Sequence, residues 1–166
     1  MTYRLTEDRS KSVLCIGKLS DARRRLLQRS NQFDSYTAAI SSHIVRLARL
    51  GVDSFVLQDW THFDILTAKC VREIGRGDGR TLHVMGVLRH RDQSVQIPAP
   101  EQLLLFVIYE NEEGITLSEE DRIDALLDNV NYVLYDNSEM DVVVSLCVQK
   151  AQERGIATID VTDNAS

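Results

Sequence analysis

The feature that most constrains the fold of this sequence is the alternation of short apolar runs with longer amphipathic stretches. The run from Ser12 to Leu19 is almost continuously apolar, as expected for a strand that is covered on both faces. Ile40, Ile44 and Leu47 then recur at helical spacing, and Gly51 follows where a left-handed glycine would end a helix. This alternation predicts βαβ units around a parallel sheet.

The same alternation extends to the carboxyl terminus. We predict a single domain over residues 1–166, because a chain of this length is too short for two ordinary domains. The predicted fold class is α/β, a Rossmann-like three-layer αβα architecture with a mostly parallel sheet of about six strands, and residues 1–11 form an irregular arm. The predicted strands span residues 12–19, 53–58, 81–88, 103–109, 131–135 and 157–161. The predicted helices span residues 35–50, 61–75, 118–129 and 138–154.

Capping motifs place the starts of the last two predicted helices. Ser118 is followed three residues later by Asp121, and Ser138 is followed at the same spacing by Asp141. In a capping box, each of the two side chains satisfies a free amide at the helix start. The pattern therefore predicts helices that open at residues 118 and 138.

Charge and hydropathy exclude several classes of protein. The net charge of −6 gives a field that repels polyanions, so generic nucleic-acid binding is not expected. No stretch approaches the roughly 18 apolar residues needed to cross a bilayer, and the amino terminus is too polar for a signal-peptide core. We therefore expect a cytoplasmic protein without a membrane partner.

The cysteines and histidines show no pattern of a metal site. Each of the three cysteines stands alone in an apolar segment, which favours buried, reduced thiols over a disulfide framework or zinc knuckle, with a reactive cysteine as the alternative. The four histidines are scattered, and none forms a helical pair with another. We expect neither a metal nor a cofactor. The residues concerned are Cys15, Cys70, Cys147, His43, His62, His83 and His90.

Candidate ligand-binding residues follow the predicted strands. In an open parallel sheet, ligands bind outside the carboxyl ends of the strands, where loops and helix amino termini converge. Asp59 and Trp60 follow the second strand, where a carboxylate can orient a sugar hydroxyl and an indole can stack on a ring. The alternatives are a turn residue and a packed loop aromatic. The candidate ligand-binding residues are Gly17, Asp59, Trp60, Asp64, Arg89, Arg91 and Ser138.

Two clusters of basic residues offer local anion sites. Arg89 and Arg91 follow the third predicted strand, where guanidinium groups would grip a phosphate or a carboxylate. The run from Arg23 to Arg25 follows the first strand, which is also a position suited to an anion. For both clusters the alternative is a solvated charged surface.

The order of these loops and of the residues that flank them resembles the SLOG superfamily. These nucleotide-related Rossmann-like domains include the DNA-processing DprA proteins and the LOG phosphoribohydrolases. Within the superfamily, residues 12–161 are most similar to the small bacterial YpsA-like group. Asp64 matches an acidic residue on the helix that enters the family's site, so the resemblance implies a ribose-binding or catalytic acid. The alternative for Asp64 is a solvated acid in the first turn of a helix.

The glycine-rich phosphate turns of that superfamily have no counterpart here. The corresponding segments, residues 58–64 and 137–141, carry bulky and acidic side chains in place of the glycines. Side chains obstruct the approach of a phosphate to backbone amides, and carboxylates repel it. Glu139 and Asp141 stand at the predicted start of the last helix, where acids act as caps. We therefore expect the phosphate chemistry of the superfamily to be weakened or lost.

The last predicted helix is apolar almost all round. Its sheet-facing positions are apolar, yet Val142 and Leu146 lie off that face. A helix of this kind needs a second cover, which is either a neighbouring helix or a second copy of the chain. We predict a homo-oligomer, most simply a homodimer, formed through the helix from Met140 to Ala151.

Three functions fit these patterns. The first is a degenerate SLOG-like domain that acts as a non-catalytic binding or self-associating module. The second is a sensor of a small nucleotide or nucleotide-sugar, in which Arg89 and Arg91 grip the anion. The third is an enzyme that cleaves the N-glycosidic bond of a nucleoside or nucleotide, with Asp64 or Glu139 as nucleophile or general acid.

Overall fold

The computed structural model of the chain describes residues 9–79, 81–88, 103–107 and 117–163. Within these residues, a parallel sheet of six strands lies between two layers of helices, which confirms the predicted α/β, Rossmann-like architecture. The strands are β1 Ser12–Gly17, β2 Ser54–Leu57, β3 His83–Leu88, β4 Leu103–Val107, β5 Tyr132–Asp136 and β6 Ala157–Asp160. The helices are α1 Asp21–Arg29, α2 Phe33–Arg49, α3 His62–Asp78, α4 Glu119–Leu127 and α5 Val142–Glu153.

The strand order of the sheet places one crevice near its centre. The strands lie in the order β4-β3-β2-β1-β5-β6, and every neighbouring pair is parallel. From β1 the chain builds outward through β2, β3 and β4, and it then returns to the other side of β1 with β5 and β6. This reversal is a topological switch point, and open α/β sheets bind ligands outside the carboxyl ends of the strands that flank it. Here those strands are β1 and β5.

Both faces of the sheet are buried, because the strands carry apolar residues at successive positions. In β1, Val13 and Cys15 pack into a core shared with α2 and α3, whereas Leu14 and Ile16 pack into a core shared with α4 and α5. Side chains alternate across a strand, so a strand covered on both sides is apolar throughout. The apolar run that predicted β1 follows from this burial, although the strand itself ends at Gly17.

The helix ends follow the predicted glycines in two cases. Gly51 follows α2 with φ +98°, and Gly155 follows α5 with φ +73°, a conformation that only glycine adopts without steric cost. α3 continues to Asp78, three residues past the predicted end at residue 75. None of the helices in the described parts of the chain is long and apolar enough to cross a membrane.

α1 is a helix that the sequence pattern does not predict. No residue of α1 is buried, so the segment lacks the apolar stripe that predicts an amphipathic helix. A cap supports it instead, because the Ser20 side chain accepts a hydrogen bond from the Arg23 N–H. α2 also begins before its predicted start, at Phe33 in place of residue 35.

The start of α5 differs from its prediction, whereas the start of α4 agrees. α5 begins at Val142, and its N-cap is Asp141, whose carboxylate accepts from two backbone amides of the first turn. The capping box predicted from Ser138 is therefore wrong, because the Ser138 hydroxyl donates to Asp136. In α4, the Ser118 side chain accepts from a first-turn amide at 3.1 Å, as predicted.

Part of the predicted irregular arm is ordered. Residues Arg9–Lys11 form a turn of 3-10 helix, and residues 1–8 lie outside the described residues. The Arg9 side chain donates to the carbonyl of Val130 at 2.9 Å. This contact ties the arm to the segment that leads into β5.

Candidate functional site at the switch point

Three turns form the rim of the sheet around the switch point. The β1 turn is residues 18–20, the β2 turn is residues 58–61, and the β5 turn is residues 137–141. The β2 turn contacts the end of β1, because the Thr61 hydroxyl donates to the Gly17 carbonyl at 2.6 Å. This rim is where a fold of this topology would hold a ligand.

Asp136, the last residue of β5, is the centre of a buried hydrogen-bond network. The residue is 4% exposed. Its Oδ2 accepts from the Arg23 guanidinium and from the Tyr36 hydroxyl. Its Oδ1 accepts from the backbone N–H and the hydroxyl of Ser138, at 2.9 and 2.6 Å. The protein's own donors therefore engage both oxygens of this carboxylate.

The charge state of this network is fixed by its hydrogen bonds. Burial alone would raise the pKa of Asp136, but hydrogen bonds from Ser138, Tyr36 and Arg23 outweigh it, so the pKa lies below its ordinary value. Burial raises the pKa of Tyr36, and the charge of Asp136 adds to the effect. At neutral pH the network is therefore a carboxylate, a neutral phenol and a guanidinium. Such a closed ionic network has no group poised to exchange a proton near pH 7.

Glu139 contacts the amino terminus of α1. Its Oε2 accepts from the Ser20 N–H at 2.9 Å, and Ser20 is the N-cap of α1. A helix amino terminus carries free amides and the positive end of the helix dipole, which is why folds of this class hold phosphates there. The prediction that Glu139 caps its own helix is wrong, because Asp141 is the cap of α5. Glu139 instead reaches from the β5 turn to the β1 turn.

Lys18 is shared among carboxylates from the neighbouring turns. Its ammonium lies 2.9 Å from Asp141 Oδ2, and its side chain is 53% exposed. A hydrogen bond to Asp141 raises the pKa of Lys18, and the charges of Asp59 and Glu139 raise it further. An anion that entered the crevice would have to compete with these carboxylates for the lysine.

Asp64 lies in the first turn of α3 and is 1% exposed. The alternative interpretation of a solvated acid is therefore wrong. Its Oδ2 accepts from the Asp59 N–H at 3.2 Å, whereas its buried Oδ1 has no hydrogen-bond partner among the described residues. Burial, together with the charge of Asp59, raises the pKa of Asp64 to about 8. This acid is mostly protonated at neutral pH.

Trp60, in the β2 turn, carries a second buried polar atom without a partner among the described residues. The residue has φ +54°, which few residues other than glycine adopt. Its partly buried ring packs against the core, as the packed-aromatic alternative predicts, and its indole Nε1 is buried without a partner among the described residues. A buried polar atom without a partner costs about 1 to 3 kcal/mol. Backbone strain such as the positive φ of Trp60 concentrates at functional sites.

Gly17 has a packing role at the end of β1. A Cβ at this position would lie 2.8 Å from the ring of Phe63, and Phe63 is fully buried. The missing side chain therefore lets α3 approach β1 closely. This approach positions the β2 turn beside the β1 turn. A ligand contact by Gly17 stays a prediction.

The structure brings most of the predicted site residues to one rim, but on two sides of it. Ser138 and Glu139 lie on the β5 turn, with Ser138 committed to Asp136. Arg89 and Arg91 lie outside the described residues, so an anion grip by these two arginines stays a prediction. The remaining predicted residues lie in or beside the β1 and β2 turns: Gly17, Asp59, Trp60 and Asp64.

A buried arginine of α4 that contacts the residue after β2 is not predicted from the sequence. Arg122 of α4 is 3% exposed, and it donates to Gln58 in the β2 turn and to Glu119. Gln58 itself is fully buried. The signals for this pair are a glutamine that ends an apolar run and an arginine on the buried face of α4. Neither residue type predicts the contact without the fold.

The three cysteines are free and buried, as predicted. Burial raises the pKa of Cys15 well above its ordinary value, and it raises that of Cys147 to about 12. The thiolate is the reactive form, so these thiols are unreactive at neutral pH. Among the described residues, no group of three or more histidines, cysteines or acids is placed to hold a metal ion.

Comparison with known proteins gives no family for this chain. No protein-family model matches it, and no curated protein sequence matches it. The SLOG resemblance therefore stays a prediction from the residues quoted above.

Proposed function

We propose that this chain is a non-catalytic Rossmann-like module, a degenerate relative of the SLOG domains, that acts by self-association. The observation that carries the proposal is the 2.9 Å hydrogen bond from the Ser20 N–H to Glu139 Oε2. It supports the proposal because a carboxylate of the protein stands beside the helix terminus where this fold would hold a ligand phosphate.

The charges around the crevice support the same proposal. Asp136, Glu139 and Asp141 bring three carboxylates from the β5 side, and the cations paired with them among the described residues are Lys18 and Arg23. Both cations are already paired with these acids. A phosphate would therefore add negative charge beside three carboxylates whose neighbouring cations are already paired. These carboxylates would repel the phosphate.

Two exposed apolar side chains at the start of α5 support self-association. Met140 is 84% exposed and Val142 is 80% exposed, whereas Leu146 and Val148 are partly buried against the core. Packing inside the molecule therefore covers the later part of the predicted helix face, and only its start lacks a cover. In a twofold dimer, each copy would cover the exposed pair of the other.

Weaker self-association is expected when this pair is made polar. We expect the double substitution Met140→Ser and Val142→Ser to weaken the dimer at least about tenfold, since burying each side chain contributes roughly 1.5 to 3 kcal/mol. The measurement is the molar mass over a concentration series, by light scattering after gel filtration. Leu26→Ser combined with Leu50→Ser is the matched control, because these leucines are 62% and 60% exposed. A native chain that is monomeric throughout, or an equal loss in the control, contradicts the proposal.

Because the protein's own carboxylates lie at the crevice, we expect nucleotides not to stabilise the fold. A ligand that binds only the folded state must raise its melting temperature. We expect AMP, ADP, ADP-ribose and inorganic phosphate at millimolar concentration to shift the melting temperature of the native chain by less than about 1 °C, the change expected for no binding. A concentration-dependent rise with any of these compounds contradicts the proposal.

A sensor of a nucleotide or nucleotide-sugar is a second candidate function. The observations that favour it are Asp64, whose Oδ1 is buried and unpartnered among the described residues, and the Trp60 indole N–H, which is also buried and unpartnered among them. Hydroxyl groups of a ligand would satisfy these atoms, once the β2 turn moved to admit it. The same protonated acid would serve as the general acid of an N-glycosidase. A melting shift with a nucleotide that Asp64→Asn abolishes would favour this candidate over the closed module.

A further inference from the structure

α1 stands apart from the other helices because it contributes almost nothing to the core. None of its residues is buried, and Leu27 alone packs against the core as a partly buried side chain. Its basic run is divided between two roles. Arg23 points inward to Asp136, and Arg24 lies 3.1 Å from the His62 ring nitrogen. The interpretation of this run as a uniformly solvated surface is therefore wrong.

The outward side of α1 carries a regular exposed stripe. Ala22, Arg25, Leu26 and Arg29 are spaced at i, i+3, i+4 and i+7, so they share one face of the helix. All four are exposed, and Leu26 is 62% exposed. Residues at this spacing form one continuous strip along the helix.

Within the part of the chain that the structure describes, no acid pairs with the charges of this stripe. Among the described residues, Arg25 donates to the Asp21 backbone carbonyl alone, and Arg29 forms no ion pair. By contrast, Lys150 and Arg154 on α5 each pair with acids of α4. The chain has 25 acidic and 19 basic residues, yet no acid of the described residues pairs with this stripe.

We infer that the outward stripe of α1 is a docking surface for an acidic protein segment with an apolar side chain. Carboxylates of the partner would pair with Arg25 and Arg29, and its apolar side chain would cover Leu26. The charge complementarity favours an acidic occupant, and the leucine at the centre favours a protein over a nucleic acid, whose phosphates offer nothing to cover it. This surface lies on a different helix from the exposed pair at the start of α5, so it goes beyond the proposed self-association.

The test is fluorescence anisotropy of the full chain with three labelled probes. The first probe is a peptide of glutamates with leucines at helical spacing, the second has lysines in place of the glutamates, and the third is a short duplex DNA. We expect saturable binding of the first probe alone, at least about tenfold weaker at high salt because the pairing is electrostatic. No binding of the first probe overturns the inference. Equal binding of the lysine probe, or tighter binding of the DNA, also overturns it.

Matched variants locate the binding on the stripe. Arg25→Gln with Arg29→Gln is expected to weaken binding at least about tenfold, and Leu26→Ser at least about fivefold through lost apolar contact. Arg46→Gln with Arg49→Gln on α2 removes two other exposed charges and is expected to leave binding within about twofold, as for remote charges. Equal weakening in this control overturns the inference. Because these variants leave Met140 and Val142 intact, a failure here is distinguishable from a failure of self-association.

Discussion

Asp136→Ala is expected to lower the free energy of unfolding by about 3 to 5 kcal/mol, the range for breaking a buried ion pair. The substitution leaves the Arg23 guanidinium, whose side chain is only 17% exposed, without its counter-charge. It also removes the acceptor of the buried Tyr36 hydroxyl. Urea denaturation at pH 7 measures the difference between the variant and the native chain.

The pH dependence separates this charge effect from a packing effect. The pKa of Asp136 is lowered in the folded protein, so its stabilisation is present above the unfolded pKa of about 4 and is lost as the pH falls through the folded value. The difference in the free energy of unfolding between the native chain and Asp136→Ala should therefore become smaller at acid pH. Asp34→Ala, at an exposed first-turn acid of α2, is the control. A loss of less than about 1 kcal/mol in Asp136→Ala, as at ordinary surface sites, contradicts the account of this network.

Asp64→Asn is expected to stabilise the protein by about 2 to 4 kcal/mol at pH 8 and to have little effect at pH 4. Asparagine keeps an oxygen that can accept the Asp59 N–H, but it carries no charge to bury. Its buried NH₂ group lacks a partner among the described residues, which reduces the gain. Urea denaturation across this pH range measures the effect.

The sign of this effect follows from the raised pKa. The folded protein holds the Asp64 proton up to a pH of about 8, whereas the unfolded chain releases it at a pH of about 4. Between these values the folded state binds more protons, so the stability of the native chain falls as the pH rises. The stability of Asp64→Asn should not fall with pH in this way, whereas the stability of the control Asp34→Asn should fall as that of the native chain does. Parallel stability curves for the native chain and Asp64→Asn would show that the acid is not buried with a raised pKa.

A stabilising substitution at Asp64 would also inform the second candidate function. Proteins retain destabilising polar groups mainly where function requires them. If Asp64→Asn stabilises the fold and leaves both self-association and nucleotide melting unchanged, neither function proposed above explains this acid.

The strands were predictable because burial on both faces leaves a direct trace in the sequence. β1 is apolar at successive positions, and its side chains enter both cores. α1 was not predictable in the same way, because periodicity reports burial and α1 has no buried residue. Its supports are the Ser20 cap and the Arg23 contact with Asp136. A contact such as that of Arg23 with Asp136 depends on the fold and leaves no periodic pattern in the sequence.

The candidate site was predictable in location but not in its contacts. Strand ends predicted the rim, since the carboxyl ends of parallel strands meet at one edge. The partners of Asp136 are 113 and 100 residues away in sequence, so no local motif relates them. Asp64 looks like a solvated helix acid in sequence, yet it is 1% exposed in the fold, on the helix whose Phe63 packs against Gly17 of β1. Glu139 looks like a cap of its own helix, yet it reaches the start of another.

The resonance of the Ser20 amide in the full chain tests the central claim, that Glu139 holds the position of a ligand phosphate. In nitrogen–proton correlation spectra, we expect Glu139→Ala to move this resonance. We expect millimolar inorganic phosphate, ADP or ADP-ribose to leave it in place in the native chain. A saturable movement of the native Ser20 amide with any of these anions would contradict the claim, because it would show a phosphate displacing the carboxylate.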